Sequence, residues 1–328
     1  MAKKYRWGII GCGNIAQKFA TALKTVDNAV LYAVASRDAK KAESFARING
    51  AKLWFDSYEM LASHPDVNII YVATTHNLHY EHTMLAIDYK KHVLCEKPFA
   101  MNSSQSKRMI QAARAKNVFL MEAMWMRFLP ATRKLMDLLN QKVIGDITQV
   151  QADFCFETPH DISSRVYNPD LGGGAMLDVG VYPLNFAYMI FGEEPVQAES
   201  SAKLGETGVD YQSAYLLKYK SGAMAMLSSS VEFTKPNEAW IYGTKGHIHI
   251  PLFYKPQDIN IHLNTGGTET LHIPYASTGY SYEAEAVMDC IGQGKHECAL
   301  MPLYQTMIIV ELMDRFRNSW GLKYPGEE

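Results

Sequence analysis

A short apolar run, Arg6-Trp7-Gly8-Ile9-Ile10, passes directly into Gly11-Cys12-Gly13-Asn14-Ile15-Ala16, a G-x-G-x-x-A pattern at Gly11, Gly13 and Ala16. Few folds accommodate it. Gly11 allows a tight turn from strand into helix, Gly13 lets a pyrophosphate approach the backbone, and Ala16 lets the helix pack closely on the strand. Asn14 and Ile15 then open a helix whose free N–H groups and dipole favour negative charge. A glycine-rich turn with no ligand can carry the same letters. The position of the pattern, on the first strand of the chain, is what favours a bound dinucleotide.

Apolar runs at 6–10, 29–36, 69–74, 92–95 and 119–122 alternate with amphipathic stretches at 15–23, 39–47, 79–89 and 103–116. This is the pattern of strands and crossover helices in a parallel sheet. After Pro130 it changes. One helix, 131–141, precedes alternating segments at 148–156, 213–219, 223–231, 238–242, 247–250, 259–263 and 268–273. Glycine sits at joints such as Ser221-Gly222 and Gly243-Thr244-Lys245-Gly246, so an antiparallel meander is the economical arrangement. Helices at 175–190, 282–291 and 303–317 suffice to cover one face of that sheet. Met224, Met226, Phe233, Trp240 and Tyr242 suit either core packing or burial against a second subunit. The expected architecture is α/β: an N-terminal Rossmann dinucleotide-binding domain, residues 1–124, and a C-terminal α+β domain, residues 125–328, with a large open, predominantly antiparallel sheet.

Roughly 20 residues past the glycines, dinucleotide folds read the adenosine ribose. Here the second strand ends Ala35-Ser36-Arg37-Asp38. Ser36 offers a hydroxyl, and Arg37 a charge and a fork of donors, for a 2′-phosphate, which favours NADP with NAD as the alternative. Asp38 pulls towards NAD if it replaces the usual acidic residue by a shift of two positions. Alternatively, Ser36 and Asp38 merely cap the next helix.

Cys95-Glu96-Lys97-Pro98 closes the fourth strand at its carboxyl end, where open α/β sheets bind ligands. Lys97 is thereby a site candidate, although most lysines are solvated surface charges. Pro98 keeps Lys97 extended and permits a cis peptide. His76, His79 and His82 repeat every three residues, but zinc recruits three or four well-directed ligands, and no metal is expected. Gly172-Gly173-Gly174 lacks the Lys-Ser/Thr ending of a P-loop and reads as a flexible entry to the next helix.

Composition excludes other partners. Lys plus Arg total 32 against 34 for Asp plus Glu, and a net charge of -2 leaves no electrostatic footprint for nucleic acid or an anionic membrane. No apolar run approaches the roughly 20 residues needed to span a bilayer. Met1 to Tyr5 is short and basic without a leader-like apolar stretch, and Cys12, Cys95, Cys155, Cys290 and Cys298 are scattered without C-x-x-C spacing. Both features point to a reducing cytoplasm. A small-molecule substrate is the expected partner.

Four motifs occur together in order and spacing: Gly11 to Ala16, Ala73-Thr74-Thr75-His76-Asn77-Leu78-His79, Glu96-Lys97-Pro98, and Gly174-Ala175-Met176-Leu177-Asp178-Val179-Gly180-Val181-Tyr182. With them the chain resembles the Gfo/Idh/MocA oxidoreductases over nearly its whole length. Met121-Glu122-Ala123-Met124-Trp125-Met126-Arg127-Phe128 and Tyr242 to Gly246 are similar to the branch of dimeric dihydrodiol dehydrogenase and NADP-dependent D-xylose dehydrogenase. The resemblance implies an active site between the domains, a homodimer or higher homo-oligomer through the C-terminal sheet, and hydride transfer between NAD(P) and a sugar, diol or related carbonyl compound. It further implies that Thr74, His76, Asn77, Glu96 and Lys97 lie along the cofactor, with Lys97 near the nicotinamide and the substrate hydroxyl. By the same resemblance Asp178 and Tyr182 come from a helix of the second domain, and Trp125 and Arg127 belong to the pocket.

Many members of the family carry His where this chain has Tyr182. Spacing of four still puts Asp178 and Tyr182 on one helical face. Oxidation of an alcohol requires a base within reach of the hydroxyl, and Lys97 and Tyr182 both start with a pKa of about 10. Tyr182 is the expected acid/base and Lys97 the residue that orients substrate and tunes it; the reverse assignment stays open. The competing class is a non-catalytic NADP-sensing protein on the same fold, which needs none of Lys97, Asp178 and Tyr182.

Overall fold

The computed structural model describes residues 4–327; Met1 to Lys3, part of the short basic N-terminus, and Glu328 lie outside the described residues. By its contacts the chain forms two units, one running to Phe128 and resuming at Ala276–Met307, the other made of Leu129–Tyr275 and the residues from Ile308 onward.

The first unit begins with β1 (Tyr5–Ile10), α1 (Asn14–Leu23), β2 (Ala29–Ala35), α2 (Ala39–Asn49), β3 (Leu53–Phe55), α3 (Tyr58–Ser63), β4 (Ile69–Val72), α4 (His79–Asp88), β5 (His92–Glu96), α5 (Ser103–Lys116) and β6 (Leu120–Ala123). Its strands form a parallel sheet in the order β3-β2-β1-β4-β5-β6. The chain order reverses between β1 and β4, and ligands of such sheets bind outside the carboxyl ends of the strands at that point. Strand β4 reads Ile-Ile-Tyr-Val and is buried throughout, as a strand covered on both faces must be. Two elements have no counterpart in the sequence reading, β3 and α3. At three and six residues they are too short to show a period; Ser57 marks the start of α3 by accepting the Met60 N–H.

The second unit holds α6 (Pro130–Asn140), β7 (Ile147–Cys155), α7 (Val181–Phe191), β8 (Gln197–Leu204), β9 (Asp210–Lys218), β10 (Met224–Ser230), β11 (Ala239–Gly243), β12 (Gly246–Ile250), β13 (Asp258–Leu263) and β14 (Thr268–His272). Its strands form one sheet in the order β14-β13-β12-β11-β7-β10-β9-β8. All pairs are antiparallel except β7 with β10, so the sheet is not a plain meander. The sequence gives no apolar alternation for β8, QAESSAKL, because it lies at the sheet edge and pairs with β9 alone. Helix α7 packs on β7 and β10. In register across the sheet run Leu216, Met226, Gln151, Trp240 and His249, and Met226 is 48% exposed. Phe233 falls in the turn after β10 rather than on a strand.

After β14 the chain returns to the first unit. The helix expected at 282–291 over the second sheet is α8 (Ser281–Gly292), and it packs instead on α1 and on the 3-10 turn Trp125–Phe128. An apolar stripe shows that a helix will be buried, not which sheet will bury it. The division therefore differs from a single cut after residue 124. It falls again inside α9 (Leu303–Trp320), between Met307 and Ile308. Among the described residues no helix is long and apolar enough to cross a membrane.

Candidate active site

Gly11 follows β1 at φ +95°, and a Cβ there would stand 2.7 Å from the Ala73 carbonyl oxygen. Only glycine takes that backbone without strain. Gly13, the N-cap of α1, differs: a Cβ would meet nothing within 4 Å, and no side chain caps the helix. Uncapped N–H groups at Asn14 and Ile15 beside open space fit a pyrophosphate. Ser36 is buried at the end of β2, where its Oγ accepts the Asp38 N–H at 3.3 Å and keeps its own proton to donate. Arg37 is exposed. Asp38 caps α2, its Oδ1 accepting the Lys41 N–H at 3.1 Å.

Beyond β4 and β5 lies a cluster of buried polar groups. His79 is fully buried, with Nδ1 2.7 Å from the Pro98 carbonyl and Nε2 3.1 Å from the Thr74 carbonyl. It ties the loop after β4 to the residue that follows Lys97. Thr74 Oγ1 meets His82 Nδ1 at 3.1 Å. Burial pushes both His79 and His82 down to about 4, so both rings are neutral at neutral pH; the Arg37 charge adds to the effect on His82. His76 is buried in a 3-10 turn, edge-on to the His79 ring at 5.8 Å, and Asn77 Oδ1 accepts the Thr75 hydroxyl at 2.7 Å. The three histidines thus have separate tasks. Among the described residues no group of three or more His, Cys, Asp or Glu is assembled to hold a metal ion.

Glu96 is buried, and its carboxylate accepts the Tyr71 hydroxyl and, at 3.2 Å, the Lys97 N–H. Lys97 itself is half-buried, and its peptide bond to Pro98 is cis. Glu283 of α8 is fully buried without a hydrogen bond to either carboxylate oxygen among the described residues. Burial first, then the Glu96 charge, push it well above the usual carboxylate range. Trp125 stacks on Tyr280 at 4.5 Å, while Arg127 is buried and donates to the Leu300 carbonyl at 3.2 Å and to the Gln305 side chain. These contacts of the two expected pocket residues brace the segment that returns after residue 276.

In the second unit Met176–Gly180 is a π-helical turn that runs into α7. The regular helix expected over 175–190 is therefore interrupted, and such turns recur at functional sites. Asp178 is buried in this turn and pairs with Arg165 Nη1 at 3.0 Å. Tyr182, buried just beyond it, lies edge-on to Phe154 at 5.2 Å and to Tyr254 at 6.3 Å; those two rings stack on each other at 4.1 Å. Phe154 falls within the strand expected at 148–156 and carried no mark of its own. Arg165 and Tyr254 lie in irregular segments without a period, so no local signal marks them.

The structure thus places Gly11, Gly13, Asn14, Ile15, Ser36, Arg37, Thr74, His76, Asn77, Glu96, Lys97, Trp125 and Arg127 in the first unit, and Asp178 and Tyr182 in the second. A dinucleotide turn on one unit and an ionisable cluster on an α+β unit define an oxidoreductase. Residues 5–124 match the oxidoreductase family with NAD-binding Rossmann fold, and residues 132–249 match the GFO/IDH/MocA C-terminal domain. The chain belongs to the Gfo/Idh/MocA oxidoreductase family. It is similar to the trans-1,2-dihydrobenzene-1,2-diol dehydrogenase of Xenopus laevis, 40% identical over 334 residues that cover 98% of this chain and 99% of that one. The Homo sapiens protein of the same name is 31% identical over 345 residues, with the same coverage. Among solved structures, KijD10, a 3-ketoreductase from Actinomadura kijaniata in complex with NADP and TDP-benzene, superposes with a TM-score of 0.87 at 27% identity, covering 96% of this chain and 98% of that one.

Proposed function

We propose that this enzyme transfers a hydride between NADP(H) and a sugar, diol or related polyol or carbonyl compound. The observation that carries the proposal is the phenol of Tyr182, buried against the Phe154–Tyr254 pair and four residues from an ion-paired carboxylate. A proton donor and acceptor beside an aromatic wall suits the CH–OH group of a ring-bearing substrate. Full-length likeness to named dehydrogenases supports the same class.

Gly11, Gly13, Asn14 and Ile15 hold the pyrophosphate. Ser36 and Arg37 hold the 2′-phosphate, since the Asp38 carboxylate is engaged in its helix cap. Thr74, His76, Asn77 and Glu96 shape the nicotinamide half. When bound, the nicotinamide supplies the hydride acceptor or donor. Tyr182 takes or returns the hydroxyl proton at its Oη, while the Lys97 ammonium orients that hydroxyl and stabilises the phenolate. Asp178, held by Arg165, orients the substrate. Trp125 offers an aromatic surface, and Arg127 sets the course of residues 300–305.

A nicotinamide-absorbance screen of aldoses, inositols, vicinal diols and dicarbonyls tests this, with NADP(H) and NAD(H) side by side. Turnover is expected with NADP(H), and Tyr182→Phe should lower kcat by about 10²- to 10⁴-fold, the range of a lost general acid/base. Lys97→Met should shift the pH-rate profile. Near-normal turnover by Tyr182→Phe would reverse the two roles. Tight NADPH binding with no turnover across the panel would indicate a sensor instead. We also propose that the enzyme works in a reducing cytoplasm, where its five buried free thiols persist, as a homodimer through the sheet face bearing Leu216, Met226 and Trp240. Sedimentation as a monomer at micromolar concentration would remove the dimer.

A further inference from the structure

Asp210 opens β9, fully buried, and has no part in the chemistry above. Its Oδ2 accepts the Met176 N–H at 2.8 Å and the Ser213 hydroxyl at 2.9 Å, while Oδ1 has no hydrogen-bond partner from another described residue. Burying a carboxyl group with an unsatisfied oxygen is costly, so packing alone does not account for it.

Its neighbours point in one direction. Ser213 Oγ meets Tyr215 Oη at 2.7 Å and Ser229 Oγ at 2.9 Å, and the latter two meet at 3.0 Å. This triangle lies directly against Gly180, where a Cβ would stand 2.6 Å from Tyr215 Oη and 2.8 Å from Ser229 Oγ. At the other end of the turn, Tyr324 Oη donates to the Gly173 carbonyl at 2.6 Å. Gly174, at φ +111°, leaves so little room that a Cβ would come within 2.5 Å of Asp210 Oδ1. Three separate stretches, β9, β10 and the C-terminal tail, therefore grip residues 173–180 from the buried side. Arg165 restrains the same turn through Asp178. Within this grip Asp210 accepts from the first amide of the π-helical turn.

We infer that Asp210 is a positioning residue: by accepting the Met176 amide it fixes where the π-helical turn begins, and so the direction in which Asp178 and Tyr182 are presented. The inference rests on the reading that those two residues serve the reaction. A misplacement of about 1 Å at a reacting group can cost on the order of 10²-fold in rate, which makes such an anchor worth its burial.

Two readouts on the full-length protein test it, comparing Asp210→Ala with Asp210→Asn, which keeps an acceptor and the side-chain volume. Native-state amide exchange over residues 174–182 should accelerate at least about tenfold in Asp210→Ala, while peptides from β11 to β14 keep their rates. Asp210→Asn should stay within about threefold of wild type on the same scale. In the turnover assay kcat of Asp210→Ala should fall by about 10²-fold with the KM for NADPH unchanged, and Asp210→Asn should recover most of it. Unchanged exchange in that segment, or faster exchange with unchanged kcat, overturns the inference. Should Asp210→Ala fail to fold, Asp210→Ser, too short to reach the Met176 amide, is read by the same criteria. If the wild type turns over no compound in the panel, the exchange result still decides the anchor, and the reading of Asp178 and Tyr182 is what has failed.

Discussion

Gly13 and Gly180 are small for opposite reasons. Around Gly13 an added Cβ meets nothing within 4 Å, whereas at Gly180 it would collide with the hydroxyls of Tyr215 and Ser229. The first unit leaves open space at the uncapped start of α1, where the proposed dinucleotide would approach. The second unit fills the space behind its candidate groups with its own polar side chains. A glycine in a motif therefore says little until its surroundings show whether the room is reserved for something else or already taken.

Substitutions at these two glycines sharpen the contrast most. Gly13→Val should weaken NADPH binding by about 100-fold, about 2.7 kcal/mol, with an unchanged Tm, as read by fluorescence titration and thermal melts. Gly180→Ala should do the reverse, costing about 1–3 kcal/mol of stability in urea unfolding, as overpacking does, with NADPH affinity retained. Equal thermal losses at both sites would erase the distinction.

A smaller effect concerns pH. Burial lowers His79 from 6.5 to about 4 and raises Asp210 from 3.8 to about 7. As pH falls, the unfolded chain protonates His79 before the folded one does, so stability is lost between about 6.5 and 4. Asp210 behaves oppositely: its contribution is full below about 3.8 and is lost as pH rises through about 7. Between about pH 5.5 and pH 7, His79 should therefore add, and Asp210 remove, about 1 kcal/mol each. Wild type minus His79→Gln and wild type minus Asp210→Asn, each in urea at the two pH values, give the slopes. Slopes of one sign would contradict the assignment of these two protonation states.

Much of the scaffold was legible because its signals are periodic. The amphipathic stretch 103–116 coincides with α5, and the run 92–95 differs from β5 by one residue. Elements without a period escaped: β3 and α3 for want of length, β8 because its edge position puts polar residues on both faces. The helix at 282–291 was visible, but its partner was not, since an apolar stripe has no address. Asp38 left two roles open, and its bond to the Lys41 amide shows the capping one.

The residues by themselves determined what short-range chemistry can dictate: the strand–turn–helix at Gly11 to Ala16, the alternation of strands and helices, and Lys97 at the carboxyl end of a strand; Glu96, Asp178 and Tyr182 became candidates only through the resemblance to a family. Closure of the chain decided the rest. Met176 reaches Asp210, Gly173 reaches Tyr324, Asp178 reaches Arg165 and Tyr182 reaches Tyr254 across separations that carry no period. In one dimension Ser213, Ser229 and Tyr215 are ordinary strand residues. Their hydroxyls become a support only when β9 and β10 pair in register and close beneath the π-helical turn.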